Sequence, residues 1–344
     1  MRSRALLAPL MLSVGLLGAG HSSAFAADMS FTPSPELVAA ARKEGRLVLY
    51  SANYLETEQD IAKRFNAKFP DITIEIIRAP GGQIVTRMRT EDAAGQLSAD
   101  VVDLSDRTEA AQMINMFAPY APPNADDYLP ESRTADRFWP RIRNAWVIGY
   151  NPALVPDPPK SWHDLVQPDF AKLGIGLTVA LAGGGPWNLA MFQRQVLGEK
   201  YWDELAAAKP QLFPSGASMV DALIRGDVAL APITTQMAVP LSHQDAPVKW
   251  IAATEGMPTT TFAAGILRKA EHPNAARLFL DWSLSREGQN ELLDFGSFSA
   301  LRDAPSPPGM DMSKIKVWLP NDEEYLKLRP TWIADWSRTF GYRQ

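Results

Sequence analysis

The sequence predicts an α/β fold, a parallel sheet with helices on both faces, and three observations predict it. From Arg46 to Leu104, short β-branched or apolar runs alternate with amphipathic stretches in a strand–helix–strand–helix–strand order. The turns that follow those runs are short, polar and glycine-containing. A second alternation of the same kind occupies roughly residues 150–260. A chain of 344 residues, 46% hydrophobic and 21% charged, is globular and exceeds one ordinary domain, so two lobes are expected.

The chain opens with Arg2 and Arg4, then an uncharged apolar run from Ala5 to Gly18, then Ala24-Phe25-Ala26. This is the pattern of a signal peptide over residues 1–26, with a mature chain from Ala27 exported to the periplasm. The run falls short of the roughly 20 residues a spanning helix needs, which counts against an uncleaved anchor. Loss of Arg2 and Arg4 takes the formal net charge from −5 to −7. A mildly acidic chain without basic blocks is unsuited to nucleic acid or an anionic membrane surface. Cysteine is absent, which excludes disulfides, thiolate metal sites and cysteine nucleophiles. The histidines, His21, His163, His243 and His272, lack metal-ligand spacing.

In order, residues 36–43 read as a helix stopped by Gly45, and Arg46 to Ser51 as a buried strand. Ile61, Phe65 and Phe69 recur at helical spacing until Pro70. Residues 72–77 form the next strand, Gly81-Gly82 turns into a helix over 83–94, and residues 100–104 are a third strand. Open sheets of this kind bind ligands beyond the carboxyl ends of their strands, here 51–54, 80–83 and 104–107. The proline-rich stretch 117–140 reads as an irregular excursion, and 143–150 as a strand. Ser161 is placed to cap a helix, 175–180 is a strand, and Gly183-Gly-Gly-Pro-Trp-Asn188 leads into a helix towards Leu197. An amphipathic helix over 218–225 precedes strands at 228–232, 250–253 and 262–267, and helices at 274–283 and 286–293 follow. The tail, rich in proline and tryptophan, is expected to pack on the outside.

Gly-Arg-Leu-Val-Leu-Tyr-Ser (45–51), Ala-Asp-Val-Val-Asp-Leu (99–104), Pro-Pro-Lys-Ser-Trp-His-Asp-Leu (158–165) and the segment from Ala264 to Gln289 occur in an order that resembles a known family. The chain is similar to the bacterial extracellular solute-binding proteins of ABC importers, in the ferric-iron-binding-like branch of the type 2 periplasmic binding fold. The resemblance implies two α/β lobes with a ligand cleft between them, two crossover hinge strands near 146–151 and 259–264, and closure by hinge motion. It implies lobe 1 at 27–147 plus 264–305, lobe 2 at 148–263, and a tail over 306–344 packing on the lobes. Its partners would be a small-molecule ligand and the membrane permease of the importer, with no resident cofactor, the protein itself being a monomer.

Ferric members of that branch hold iron with two adjacent tyrosines, often helped by a histidine and an acid. Here the corresponding positions are Thr234 and Thr235, the histidine position aligns with Tyr54, and the acidic position falls near Ser105. A hard trivalent ion wants anionic oxygen ligands, which threonine hydroxyls do not supply. Helix N-termini at Asn53-Tyr54, Gly82-Gln83 and Gly184–Asn188 instead offer N–H groups to an anion, with Trp187 available to cover an organic portion. The expected ligand is a small anionic organic solute: a phosphonate, phosphate ester, sulfonate or carboxylate. The site residues are Asn53, Tyr54, Gly82, Gln83, Ser105, Gly185, Trp187, Asn188, Thr234 and Thr235. The alternatives are ferric iron on a non-standard ligand set that includes Tyr54, and a ligand-binding subunit of a sensory receptor. An enzyme is disfavoured, because no nucleophile elbow, phosphate loop or zinc-protease helix occurs. Asp100, Asp103 and Asp106 read as strand-end hydrogen-bonders.

Overall fold

A computed structural model describes residues 30–342 apart from Asp245, so the signal-peptide expectation lies outside the described residues. Helix α1 (Pro35–Glu44) starts at Ser34, whose hydroxyl accepts the Leu37 N–H, and ends at Gly45 with φ 68°. Then come β1 (Arg46–Ser51), α2 (Leu55–Lys68), β2 (Thr73–Arg78), α3 (Gly81–Ala93), β3 (Val101–Leu104) and α4 (Arg107–Gln112). Strand β1 pairs in parallel with β2 on one side and β3 on the other, the predicted arrangement. Successive side chains of a strand leave opposite faces, and the burial follows that rule. Leu47, Leu49 and Val101 enter one core with Phe65, Phe279 and Trp282. Val48, Tyr50, Val102 and Leu104 enter another with Ile84, Met88 and Phe117.

The next strand, β4 (Trp139–Tyr150), is longer than predicted. After it come α5 (Pro168–Ala171), β5 (Gly176–Thr178), α6 (Gly184–Val196), α7 (Tyr201–Ala207), β6 (Gln211–Phe213), α8 (Gly216–Arg225), β7 (Leu230–Thr234), α9 (Thr235–His243) and β8 (Lys249–Ile251). Strand β9 (Met257–Ile266) is followed by α10 (Pro273–Leu284), α11 (Arg286–Glu291), β10 (Val317–Trp318) and α12 (Asp322–Thr339). The main sheet runs β2-β1-β3-β9-β4-β7, while β8 pairs with β4 and β10 with β9. Strand β9 is antiparallel to β3 over Ala263–Ile266 and to β4 over Thr259–Ala264. Strand β4 then transfers its pairing to β7 from Trp146 onward. Beyond that transfer its faces feed two further cores, Ala145 and Val147 on one side, Trp146, Ile148 and Tyr150 on the other.

The differences from the sequence reading have physical causes. Pro140 made 117–140 look irregular, yet it sits in β4 where the register shifts, the kind of place in a ladder where a residue without an N–H is tolerated. Pro232 likewise lies inside β7, a strand that begins two residues beyond the expected start at 228. The tail contains an 18-residue helix with Pro330 inside it, and it buries Tyr325 and Trp336. It therefore contributes to the core rather than resting on the outside.

One buried polar group ties β4 to β1–β3. Arg141 donates to Asp103 from Nε at 2.9 Å, and its Nη2 also pairs with both Asp103 and Glu58. Glu58 further accepts from Ser51 Oγ (2.8 Å) and Asn53 Nδ2 (3.1 Å). Burial, only partly offset by Arg141, pushes the Asp103 carboxyl up to about 6.

Candidate functional site

Strand β1 ends in Ser51, and Asn53 and Tyr54 follow at the start of α2. Asn53 is fully buried and faces inward: it donates to Glu58 and accepts from Gln236 Nε2 at 3.2 Å. Tyr54 is partly exposed, and its hydroxyl lies 3.4 Å from Thr234 Oγ1. Burial raises its pKa above the usual tyrosine value, opposed by the Thr234 contact and the charge of Arg78. Thr235 is committed elsewhere, since its hydroxyl accepts the Ala145 N–H of β4 at 3.2 Å. The adjacent threonines thus diverge, one towards Tyr54 and one into the ladder.

A second group of residues surrounds Ser105. Helix α3 begins at Gly81 after Pro80 and carries no side-chain cap. Helix α6 begins at Gly184 after Gly183, also without a side-chain cap. A Cβ on Gly81 would stand 3.6 Å from Ser105 Oγ, and one on Gly184 only 2.5 Å from it. Gly183 and Gly184 have φ of +78° and +58°, so both the turn and the approach to Ser105 call for glycine. Gly185 lies beside Thr260 and the Trp146 indole. The buried Trp146 Nε1 has no hydrogen-bond partner among the described residues. Gly82 has open space around its Cβ position, and Gln83 is exposed.

An open pocket of about 330 Å³, solvent at its mouth included, is lined by Ser105, Arg107, Asn188, Thr259, Asp322 and Tyr325 among others. Asn188 turns its amide to the Thr259 carbonyl at 3.2 Å. Trp187 sits fully buried, edge-on to Tyr325, and presents no face to a ligand. Asp106 caps α4 through the Thr108 and Glu109 N–H groups, and its other oxygen accepts from Tyr325 (2.6 Å) and Arg329 (2.9 Å). Asp100 accepts from the Val48 and His272 N–H groups. Both aspartates are hydrogen-bonders, as read from the sequence, and Asp103 is an ion-pair partner.

The structure therefore brings Tyr54 to Thr234, and Ser105 to the starts of α3 and α6. Asn53, Trp187 and Thr235 are held in internal contacts. Sequence reasoning missed Trp146, Asp322, Tyr325 and Arg329. A signal for the last three was present: Asn321 followed by Asp322, Glu323 and Glu324 is a helix-start pattern, and Tyr325 and Arg329 share a helical face. Among the described residues, no group of three or more His, Cys, Asp or Glu could hold a metal ion, and no helix is long and apolar enough to cross a membrane.

The family model for bacterial extracellular solute-binding proteins matches residues 51–290. A probable ABC transporter periplasmic-binding protein, y4fP of Sinorhizobium fredii, is 28% identical over 271 residues, 69% of this chain and 68% of that one. Among solved structures, AfuA of Actinobacillus pleuropneumoniae, a periplasmic binding protein with exogenous fructose-6-phosphate bound, superposes with a TM-score of 0.73 at 22% identity, over 87% of this chain and 99% of that one. Iron-bound HitA of Pseudomonas aeruginosa does so with a TM-score of 0.68 at 21% identity, over 83% and 98%. These likenesses establish the two-lobed type 2 periplasmic binding fold. With more than half its length matched by the family model, the chain belongs to the bacterial extracellular solute-binding proteins, which capture small molecules for the membrane permease of an ABC importer.

Proposed function

We propose that this protein captures a small anionic organic solute, such as a phosphate ester, phosphonate, sulfonate or carboxylate, at Ser105 and delivers it to its permease. The observation that carries the reading is the meeting of two helix starts without side-chain caps, α3 at Gly81 and α6 at Gly184, on one serine hydroxyl. Unpaired N–H groups and the positive end of the helix dipole favour an anion there. The open indole N–H of Trp146 beside Gly185 adds a neutral donor. The competing charge of Asp106 is engaged by Arg329 and the start of α4. The sugar phosphate held by AfuA is one member of the proposed class.

In this reading lobe 1 is 27–147 plus 264–305 and lobe 2 is 148–263, and the monomer closes about the crossing of β4 and β9. The transfer of β4 pairing from β9 to β7 at Ala145–Trp146 supports that division. Export to the periplasm belongs to the same reading and is supported by the extracellular family.

A thermal-shift screen of the purified protein against the four anion classes and ferric salts tests the reading. A ligand at a hundredfold excess over its Kd adds about 2.7 kcal/mol to the folded state. A strong shift with one anion, abolished by Ser105→Trp, is the expected result. Tight binding of a neutral sugar or an organic cation, with no response to any anion, refutes it. The second reading, ferric iron, is favoured by the Tyr54 hydroxyl beside Thr234, and a shift confined to ferric salts with a visible charge-transfer band would establish it.

A further inference from the structure

Helix α12 belongs to one core and grips the other. Tyr325 and Trp336 are buried among Trp187, Phe192 and Trp202, with Trp332, Ile333 and Phe340 packed alongside. Arg194 of α6 fixes the same end of the helix through Asp335 at 3.0 Å. The polar groups of its first half reach instead to the loop after β3, a strand whose side chains fill the two cores around β1. Tyr325 and Arg329 both donate to Asp106 Oδ2, and Asp322 pairs with Arg107 at 3.3 Å.

Asp106 is buried at 4% exposure, and its other oxygen caps α4, so this carboxylate is rigidly placed. Gly183, at the turn into α6, closes on the same point. A Cβ there would stand 2.7 Å from Arg329 Nη2 and 3.7 Å from Asp106 Oδ2. Hydrogen bonds to a charged acceptor are stronger than neutral ones, and two donors on one buried oxygen hold best when the partners cannot drift apart.

We propose that α12 is a strap across the cleft, rooted in the second core and hooked onto Asp106 of the first, that holds the two lobes closed. The hook is polar and compact, whereas the root is aromatic and extensive. Opening therefore breaks the contacts of Tyr325, Arg329 and Asp322 and leaves the root packed. The strap also lines the pocket through Asp322 and Tyr325, so the group that fastens the lobes borders the space a ligand would fill. The inference stands on the two-lobed fold and does not depend on which solute binds.

The chain lacks cysteine, so Gln96→Cys and Glu199→Cys, both exposed, can carry two unique spin labels on the ligand-free protein. Pulsed electron–electron distance measurement then compares this background with Tyr325→Phe/Arg329→Gln, which keeps the ring on Trp187 and removes the phenol hydroxyl and the guanidinium charge from Asp106. A closed population is expected in the parent beside an open one, in a ratio that the distance distribution reads. In the double variant the ratio of closed to open molecules should fall on the order of tenfold or more. Arg329→Gln alone, at a side chain 23% exposed, tolerates folding and should give a smaller shift in the same direction. Unchanged distance distributions in both variants, with native circular dichroism, would overturn the strap.

Discussion

Removing the Arg141 guanidinium should destabilise this protein severely, and by an amount that depends on pH. Arg141 is 1% exposed and faces two carboxylates that are fully buried, Asp103 and Glu58. Glu58 keeps Ser51 and Asn53 as donors when the arginine is gone. Asp103 does not, because its Oδ1 has no partner among the described residues and its Oδ2 is bonded to Arg141. Arg141→Met fills much of the stem volume and strands that carboxylate, a change that costs about 3–5 kcal/mol when a buried pair loses one member.

The pH dependence follows from burial. Asp103 is pushed up to about 6 with the arginine in place, against about 3.9 unfolded. The folded state then binds the extra proton, so its contribution to stability is fullest below about pH 4, declines as pH rises to about 6 and is constant above that. Without Arg141 the folded pKa rises further, which carries the decline beyond pH 6. Urea titrations at pH 5 and pH 8 should therefore show the larger loss at pH 8, and Glu58→Gln/Asp103→Asn/Arg141→Met should recover much of it. A loss at pH 8 no greater than that of an exposed pair, about 1 kcal/mol, would refute the reasoning. So would equal losses at both pH values.

Three further outcomes follow from the site. Gly184→Ala places a Cβ 2.5 Å from Ser105 Oγ at a φ of +58°, so it should lower the melting temperature and abolish any anion-induced thermal shift; an undiminished shift would remove Ser105 from the site. Thr235→Val leaves the buried Ala145 N–H without its acceptor, which should cost about 1–3 kcal/mol in denaturant titration. Burial raises the Tyr54 phenol, so the alkaline tyrosinate difference between wild type and Tyr54→Phe should titrate above 10; a midpoint below 10 would show a hydroxyl open to solvent.

The strands around β1 were legible because two-sided burial writes itself as continuous apolar runs, and β1 coincides with Arg46–Ser51 as read. The helix starts at Ser161 and Ser285, the latter just ahead of the helix read at 286–293, were legible because each serine hydroxyl accepts a backbone N–H just ahead in the chain. The crossing strands were less so. Met257 to Thr261 pairs with another long strand, a long-range contact that leaves no local period. Helix α12 was hidden by Pro330, which local propensity treats as a breaker but which the aromatic packing of Trp332 and Trp336 overrides. Of the site, the glycine turns and Ser105 could be named from strand ends, whereas the burial of Trp187 depends on α12 packing against it.

The threonine pair changes what the site can recognise more than the loss of two phenols alone implies. Thr235 does not face the ligand position, because its hydroxyl completes the β4 ladder at Ala145. That leaves Thr234 and Tyr54 as the oxygen donors across this part of the cleft, and both are neutral hydroxyls with Tyr54 held in its protonated form by burial. Neutral hydroxyls donate to an anion readily and satisfy a trivalent cation poorly. The charged recognition then falls to the starts of α3 and α6 around Ser105, where backbone N–H groups supply the positive end of a dipole and Glu109, its Oε2 3.6 Å from the Gly81 Cβ position, is the titratable neighbour. With Glu109 ionised, a site built this way should hold its anion almost independently of pH wherever the ligand itself keeps its charge. Loss of binding on raising the pH from 6 to 8, with the ligand charge unchanged, would point to a titrating side chain as the true anchor.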